Sequence, residues 1–534
     1  SIFVIRWCLI NIFNNKISLI ILVDQISLIF LATVRLITIS VILFRFYYIE
    51  SEKYYYQFHF LIMVFVLAIY LLILSPNLVS ILIGWDGLGV RSYLLVVYYR
   101  NTKAYNSGIV TLMSNRVGDA LILVSLGILV NNWDILSYTF LEQNKSVITL
   151  LILASITKRA QIPFRAWLPA AMAAPTPVSS LVHSSTLVTA GVYLIIRHEF
   201  WIVNYNLSII LLITGLITNF LARTTALLET DFKKIIALST LSQLGIIIIA
   251  LGLQSTTLAF LHLIVHATFK ALLFIATGVA IHVRNDYQDI RTIGNIKEAM
   301  PLVSSFIIIR NFRLIGIPFI AAFFSKELII DVILKDRWSF PLIPLFYTRI
   351  VLTAIYRMRT LNIFIARNNE YFPLKLKTNS SMFLSIRILT LLAPAIIRGI
   401  SLNAWLLDYA YTFSMRNLFK MFTVSSVILT LVVVLINYFV YTQNNSKIKW
   451  FISSIWLLTF TTTRPFNNIL SPASKLIILV LERRILNRMF KPIIFNPHPT
   501  IYFINSASNK PNVFKFLLKR LLLIALMNVV TLWQ

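Results

Sequence analysis

Cysteine is almost absent from this chain: among 534 residues there is one, Cys8. That excludes an intramolecular disulfide framework and any cysteine cluster for zinc or an iron–sulfur centre, so redox chemistry is not expected on this chain. Acidic residues are scarce too, with 19 Asp and Glu against 48 Lys and Arg, a net charge of +29. Nucleic-acid binding would gather the cations on a polar face. Here arginines interrupt hydrophobic runs one at a time, at Arg35, Arg45, Arg91, Arg165, Arg310, Arg313, Arg387 and Arg398. So many buried cations with so few acids are physically expensive. No secretory signal with a cleavage site and no Arg/Ser-rich amphipathic leader is visible, which fits direct insertion of a chain made inside its own compartment. The alternating segments of a membrane β-barrel, about ten residues each, are missing, as are a soluble domain and an exact internal repeat.

What the chain has is apolar length. It is 58% AVILMFWYC and 13% charged, with a mean hydropathy of +0.82. One soluble core, which stops growing near ~250–300 residues, cannot hide that much apolar surface. The chain is therefore expected to be an all-α polytopic membrane protein. At about 20 apolar residues per span it has room for about 14 to 16 transmembrane helices, some of them broken.

Residues 1–57 read as N-terminal transmembrane sequence, closed by the interfacial Tyr-rich patch YYIESEKYYY. Helices then follow at His59–Leu74, Leu78–Val97, Ile109–Val130, Ser146–Pro163, Ala170–Ile196, Ser208–Leu227, Lys233–Gly252 and Thr257–His282. A polar loop ending at Pro301 separates these from Leu302–Phe324, Ser339–Tyr356, Ser380–Trp405, Leu418–Tyr441 and Trp450–Thr461. Ala473–Phe490 mixes apolar and charged residues at helical spacing and suits a helix lying in the interface plane. A proline-containing linker leads to a last apolar segment, Phe514–Leu532. The strap this pair suggests and an ordinary loop with a final span both fit the pattern. The expected organisation is 58–331 as core, 332–470 as further transmembrane helices, 471–512 as amphipathic helix and linker, and 513–534 as terminal anchor.

The densest chemistry lies in KRAQIPFRAWLPAAMAAPTPVSSLVHSSTLVTAGVY, Lys158 to Tyr193. Ionisable groups coincide there with prolines that break the helix, and freed carbonyls are tolerable at membrane depth only inside protein or beside water. Lys158 ends an apolar helix near that break; it either hands on a proton or snorkels to the interface. His183 is either a packing residue or a proton carrier. Asp86, in ILIGWDGLGV, is neutralised by a partner or a proton, or caps a helix end. Asp119 shares a helical face with Arg116, so a local ion pair competes with a transport role. His262, His266 and Lys270 stand at i, i+4 and i+8, three titratable groups on one slowly turning stripe. A proton relay fits that spacing. Zinc is the rival, though HxxxH lacks the intervening glutamate and an evident third ligand. Asp231 reads as an N-cap, and Gly316 and Pro318 ahead of Lys326 and Glu327 suggest another interrupted helix.

GWDGLGVRSYLLVVYYRN, SNRVGDALIL, the Lys158–Tyr193 stretch, TDFKKIIALSTLSQLG, HLIVHATFKALLF and GIPFIAAFFSKELI together resemble the chain 5 family of mitochondrial NADH:ubiquinone oxidoreductase, respiratory complex I, in a pattern nearest to invertebrate and arthropod versions. The likeness covers about Lys16 to Asp331. It implies an antiporter-like, proton-translocating subunit of the mitochondrial inner membrane, multi-pass, with neighbouring antiporter-like subunits and lipid as partners. It implies no cofactor on this chain, flavin and iron–sulfur clusters being carried by other subunits. A stand-alone or Mrp-type cation/proton antiporter subunit is the alternative.

Carried over by position, the resemblance makes Asp86 the acidic partner of the central lysine, Lys158. It makes His183, His262, His266 and Lys270 relay positions and Asp119 a further acidic one. The family's exit-side lysine has three candidates here, Lys375, Lys377 and Arg387. The family also carries a further hydrophobic segment at its N-terminus, so the chain is expected to be shortened or incompletely read at Ser1. At Arg91, Arg159, Arg165, Arg310, Arg313, Arg357 and Arg398 the family pattern has serine or another small or apolar residue. Because invertebrate mitochondria read AGA as serine, the resemblance implies that these positions are serine in the protein the organelle makes. Arg116 and Arg359 fit the family as arginines.

Overall fold

The computed structural model describes residues 2–12, 15–49, 54–131, 144–283, 287–290, 300–316, 321–335 and 343–366, together with Ser425, Phe451 and Trp456. All of these lie in the first of two compact units, Ser1–Thr459. Apart from Ser425, Phe451 and Trp456, the expected helices Ser380–Trp405, Leu418–Tyr441, Trp450–Thr461, Ala473–Phe490 and Phe514–Leu532, and the exit-side candidates Lys375, Lys377 and Arg387, fall outside the described residues.

The described chain is helical except at its start. There, strands β1 (Phe3–Ile12) and β2 (Asn15–Val23) pair antiparallel, from Phe3 opposite Val23 to Ile12 opposite Asn15, with an irregularity between Cys8 and Ile10. Both strands are rich in Ile and Val, whose branched β-carbons favour the pleated backbone. This local hairpin departs from the helical expectation.

Helix α1 (Gln25–Tyr48) begins at a capping box: the Ser27 amide donates to Asp24 Oδ1 at 3.0 Å and the Asp24 amide to the Ser27 hydroxyl at 2.9 Å. Next come α2 (Tyr55–Leu74), α3 (Leu78–Val96), α4 (Thr102–Asn131) and α5 (Lys145–Lys158). A broken stretch follows, with short helical pieces at Trp167–Ala170, Ala171–Ala173 and Thr176–Val178, and a π-helical turn at Ser179–Thr186. Sequence periodicity merges this into one helix from Ala170 to Ile196; the prolines at 169, 175 and 177 remove the amides that one helix would need. Regular helix returns in α6 (Leu187–Arg197), α7 (Ser208–Leu228), α8 (Phe232–Gly252) and α9 (Thr256–Val283).

The expected helix Leu302–Phe324 is two: α10 (Pro301–Ile315), opened by a proline at its first position, and α11 (Ala321–Lys335). Gly316 ends α10 at φ 101°, a left-handed conformation that glycine adopts without strain. The last described helix is α12 (Ile343–Ala366).

Eight of these segments are long and apolar enough to cross a membrane. Their burial sorts them. α9 is buried over the whole of its apolar window and α8 over 94% of it, whereas α4 is buried over 39%. Helix α9 is thus the pillar of the bundle, packed by α1, α8, α10, α11 and the π-helical turn. His262, His266 and Lys270 on it are walled in by protein.

Candidate functional site

Helix α5 ends at Lys158 because the chain turns there: the Arg159 amide still reaches the Ser155 carbonyl, and Ala160 takes a left-handed φ of 54°. Trp167 closes the end from the far side, its indole N–H donating to the Thr157 carbonyl at 3.0 Å. Lys158 itself is fully buried. Its ammonium donates to the Trp85 carbonyl at 2.6 Å and lies 4.0 Å from the centre of the Trp85 ring. Snorkelling to the interface is therefore not what this lysine does.

The expected partner, Asp86, turns elsewhere. Arg116 Nη1 lies 2.7 Å from Asp86 Oδ1, an ion pair without hydrogen-bond geometry, and 3.5 Å from Asp119 Oδ2. Arg116 thus stands between two carboxylates, and both act on Lys158 through their charge. Asp119 is buried, while Asp86 and Arg116 are half-exposed on α3 and α4. The sequence placed Arg116 beside Asp119 by its spacing of three; nothing in the spacing revealed that it also competes with Lys158 for Asp86, some thirty residues away.

His183 lies in the π-helical turn, buried against Trp167 with ring centres 6.0 Å apart. Neither ring nitrogen has a hydrogen-bond partner. On α9, His262 Nδ1 meets the Ser325 hydroxyl of α11 at 2.9 Å, and the Lys270 ammonium donates to Ser239 of α8 at 2.5 Å. The His262 and His266 rings are 6.5 Å apart, and both nitrogens of His266 are buried without a partner. Buried polar atoms are nearly always satisfied by protein or ordered water, so these nitrogens call for water along the stripe. Among the described residues no third His, Cys, Asp or Glu gathers with the two histidines as a metal site would require. Lys326 donates to the Leu314 carbonyl at 2.5 Å, across the break between α10 and α11. Ser239 and Ser325 carried no sequence signal, because a serine in an apolar helix ordinarily bonds its own backbone.

The arginines behave differently. Arg159, Arg165, Arg223, Arg310, Arg313, Arg349 and Arg357 are all buried. All three nitrogens of Arg310 lack a partner, as do Nε and Nη2 of Arg357. Arg159 folds back on its own helix, onto Ser155. Arg313 lies 2.8 Å from the Phe269 ring centre, inside van der Waals contact. By contrast Arg197, at the end of α6, makes a bidentate pair with Asp24 at 2.5 and 2.8 Å and also donates to Tyr193. Burial alone would raise the Asp24 carboxyl, but the bonds from Arg197 and Ser27 and the Arg197 charge outweigh it and hold it at about 2, below its ordinary 3.8.

Lysines, carboxylates and histidines, most of them buried, run through a broken helix inside an apolar bundle, the architecture of an antiporter-like membrane protein. The comparisons agree. A family model described as NADH:quinone oxidoreductase/Mrp antiporter, transmembrane region, matches residues 75–353, and the chain belongs to that family. It is 40% identical over 470 residues to NADH-ubiquinone oxidoreductase chain 5 of Locusta migratoria, covering 86% of this chain and 82% of that one. It is 42% identical over 414 residues to the chain 5 protein of Aedes aegypti, covering 76% and 71%. In fold it is similar to a chain of the Mrp complex from Dietzia sp. DQ12-45-1b, with a TM-score of 0.67, 21% identity, and 93% of this chain and 56% of that one covered. It is also similar to a chain of the membrane-bound sulfane sulfur reductase, an archaeal respiratory membrane complex, with a TM-score of 0.64, 19% identity, and 78% and 84% covered.

Proposed function

We propose that this chain is a proton-translocating membrane-arm subunit of mitochondrial complex I. It sits in the inner membrane and holds no redox centre of its own; flavin and iron–sulfur clusters belong to other subunits. Quinone reduction driven by NADH in those subunits changes the charge balance at Asp86, Arg116, Asp119 and Lys158. Lys158 then hands a proton toward His183, His262, His266 and Lys270 through water. The observation that carries this reading is the Lys158 ammonium, fully buried and held by the Trp85 carbonyl and ring rather than by a carboxylate, with two carboxylates acting on it. When Arg116 releases Asp86, the carboxylate can engage Lys158; when it recaptures Asp86, the lysine is left with a carbonyl and sheds its proton more readily. The half-exposed Asp86 and Arg116 on α3 and α4 support a protein neighbour there, since a charge facing lipid at mid-membrane costs about 2.5–3.5 kcal/mol on insertion scales. A neighbouring antiporter-like subunit, with bound lipid around it, fits that face.

Replacing Lys158 with Met in the equivalent assembled complex tests the assignment. Pumping is expected to be impaired; an unchanged proton stoichiometry and turnover refute it. The fold likeness to the Mrp complex keeps one second reading, a cation/proton antiporter subunit outside a respiratory complex. Copurification with NADH-oxidising subunits separates the two.

A further inference from the structure

The stripe of His262, His266 and Lys270 does not stop at the lysine. Continued in steps of four, it passes Phe274 and Gly278 and ends at His282 in the last turn of α9, about 18 Å farther along the axis at 1.5 Å per residue. The stripe is buried as far as Gly278, whereas His282 is half-buried. Its imidazole lies against Tyr47 edge-on at 5.3 Å and against Tyr48 at 5.5 Å, both from the last turn of α1. The same end of the bundle carries the entry to α8. There the Phe232 amide donates to the Gln288 carbonyl and the Ile290 amide to the Thr230 carbonyl, while Lys234 pairs with Asp231 at 2.6 Å. His282 therefore stands where the buried helix meets a charged, partly exposed rim.

One turn inside, α9 meets the broken stretch. A β-carbon added to Gly278 would lie 2.9 Å from the Thr176 hydroxyl and 2.9 Å from the Phe44 ring, so only glycine lets α1 and the broken stretch close on α9 here. The Thr176 hydroxyl is buried without a hydrogen-bond partner. Ser179, Ser180 and His183 follow at three, four and seven residues, close to one face of the turning chain. The hydroxyls of Ser179 and Ser180 donate back to the carbonyls of Thr176 and Pro177 at 2.8 Å each, and a hydroxyl that donates keeps lone pairs that accept. The row ends at His183, whose two nitrogens have no partner. Polar atoms buried in this way take ordered water as partner.

We propose that His282 is the water-facing terminus of the proton path, connected to His183 by ordered water along the hydroxyls of Thr176, Ser179 and Ser180. The transfer balances at every step. His282 accepts a proton at one ring nitrogen and releases one from the other, and each hydroxyl or water forms one O–H bond as it breaks another. Tyr47 and Tyr48 flank the terminus and limit which face of the imidazole meets water.

This inference rests on the proton-translocating reading, and the experiment separates the two. Assembled complex carrying His282→Gln, Thr176→Val, Thr176→Ser or Lys158→Met is reconstituted in vesicles, and protons moved per NADH oxidised are measured. That ratio is insensitive to a purely structural loss, which lowers the amount of complex and its turnover together. His282→Gln and Thr176→Val are expected to lower the ratio about as far as Lys158→Met, and Thr176→Ser to restore it. A ratio unchanged in both His282→Gln and Thr176→Val but lowered in Lys158→Met overturns the terminus and leaves the parent reading standing; unchanged in all three, it overturns both. If His282→Gln does not assemble, the Thr176→Val and Thr176→Ser pair decides alone, an unchanged Thr176→Val ratio being the overturning result.

Discussion

Two polar regions share this interior and differ in charge balance. Around Lys158 two carboxylates are in reach: Arg116 lies between Asp86 and Asp119, and both carboxylates act on Lys158. Around Lys270 and Lys326 the neighbours are Arg223, Arg310, Arg313, Arg349 and Arg357, while α10 and α12 contain no acidic residue at all. The first region obeys the electrostatics of a low-dielectric interior, where a charge persists only with a partner. The second strains that rule at Arg310, with three buried nitrogens unpartnered, and at Arg357, with two, while His262, Lys270 and Lys326 rest on serines and a carbonyl. The violation therefore lies in one residue type rather than in the architecture, which is what serine decoded as arginine would produce.

The comparison can be broken most directly at Lys158. Lys158→Met removes the cation that the two carboxylates serve. Stripping one partner from a buried charge system costs about 3–5 kcal/mol, and at about 1.4 kcal/mol per tenfold change that displaces the proton equilibria by orders of magnitude. The proton-to-electron ratio should fall sharply, and an unaltered ratio would show that the balanced region is not the working one.

The arginines come next. Tandem mass spectrometry of the protein isolated from mitochondria should give serine at positions 159, 165, 310, 313 and 357, and arginine at 116 and 359. Arginine at 159 and 165 would sink the recoding idea. Expressed as written, the chain should gain stability with Arg310→Ser, whose guanidinium is buried with no partner at any nitrogen. About 2.5–3.5 kcal/mol is expected per unpaired buried cation, read as a rise in thermal midpoint in detergent.

A smaller effect is expected from Arg116→Gln. Its half-exposed ion pair is partly screened, so assembly should survive while coupled turnover falls less than with Lys158→Met; full activity would mean that Arg116 takes no part in the balance.

Smallest is Asp24→Asn, which tests a pair that only fastens helices. The Asp24 carboxyl sits at about 2 in the folded chain against an ordinary 3.8, so its stabilisation is complete above pH about 4 and is lost as pH falls toward about 2. Asp24→Asn keeps an acceptor for the cap but removes the charge that Arg197 grips; it should cost on the order of 1 kcal/mol for this partly exposed pair, and should flatten the acid limb of a melting-temperature profile. A variant that keeps the wild-type limb would assign that limb to another carboxylate.

Much of this architecture was legible in the sequence because hydrophobic length and periodicity are local properties. Helices α2, α3, α7, α8 and α9 begin and end within a few residues of where apolar runs and N-cap residues place them. The site residues were legible as outliers: Asp86, Asp119, Lys158, His183, His262, His266 and Lys270 are titratable groups in sequence that has no other reason to hold them. Partners were not legible. Trp85 under Lys158, Ser239 under Lys270 and Ser325 beside His262 are ordinary residues made special by a neighbouring helix. The split at Gly316 and the π-helical turn at His183 were visible only as glycine and prolines, which say that a helix breaks without saying how the chain continues.

By itself, then, the sequence determined that the chain is a polytopic, mainly helical membrane protein with a file of ionisable groups, because apolar spans and stranded charges are written in one dimension. The tertiary structure decided which charge answers which. It gave Asp86 to Arg116 and left Lys158 on a backbone carbonyl, and it brought Thr176 against Gly278. It also left Arg310 buried with no partner at any of its three nitrogens, since a Coulombic partner is chosen by distance in space, and that distance is set by how the helices pack.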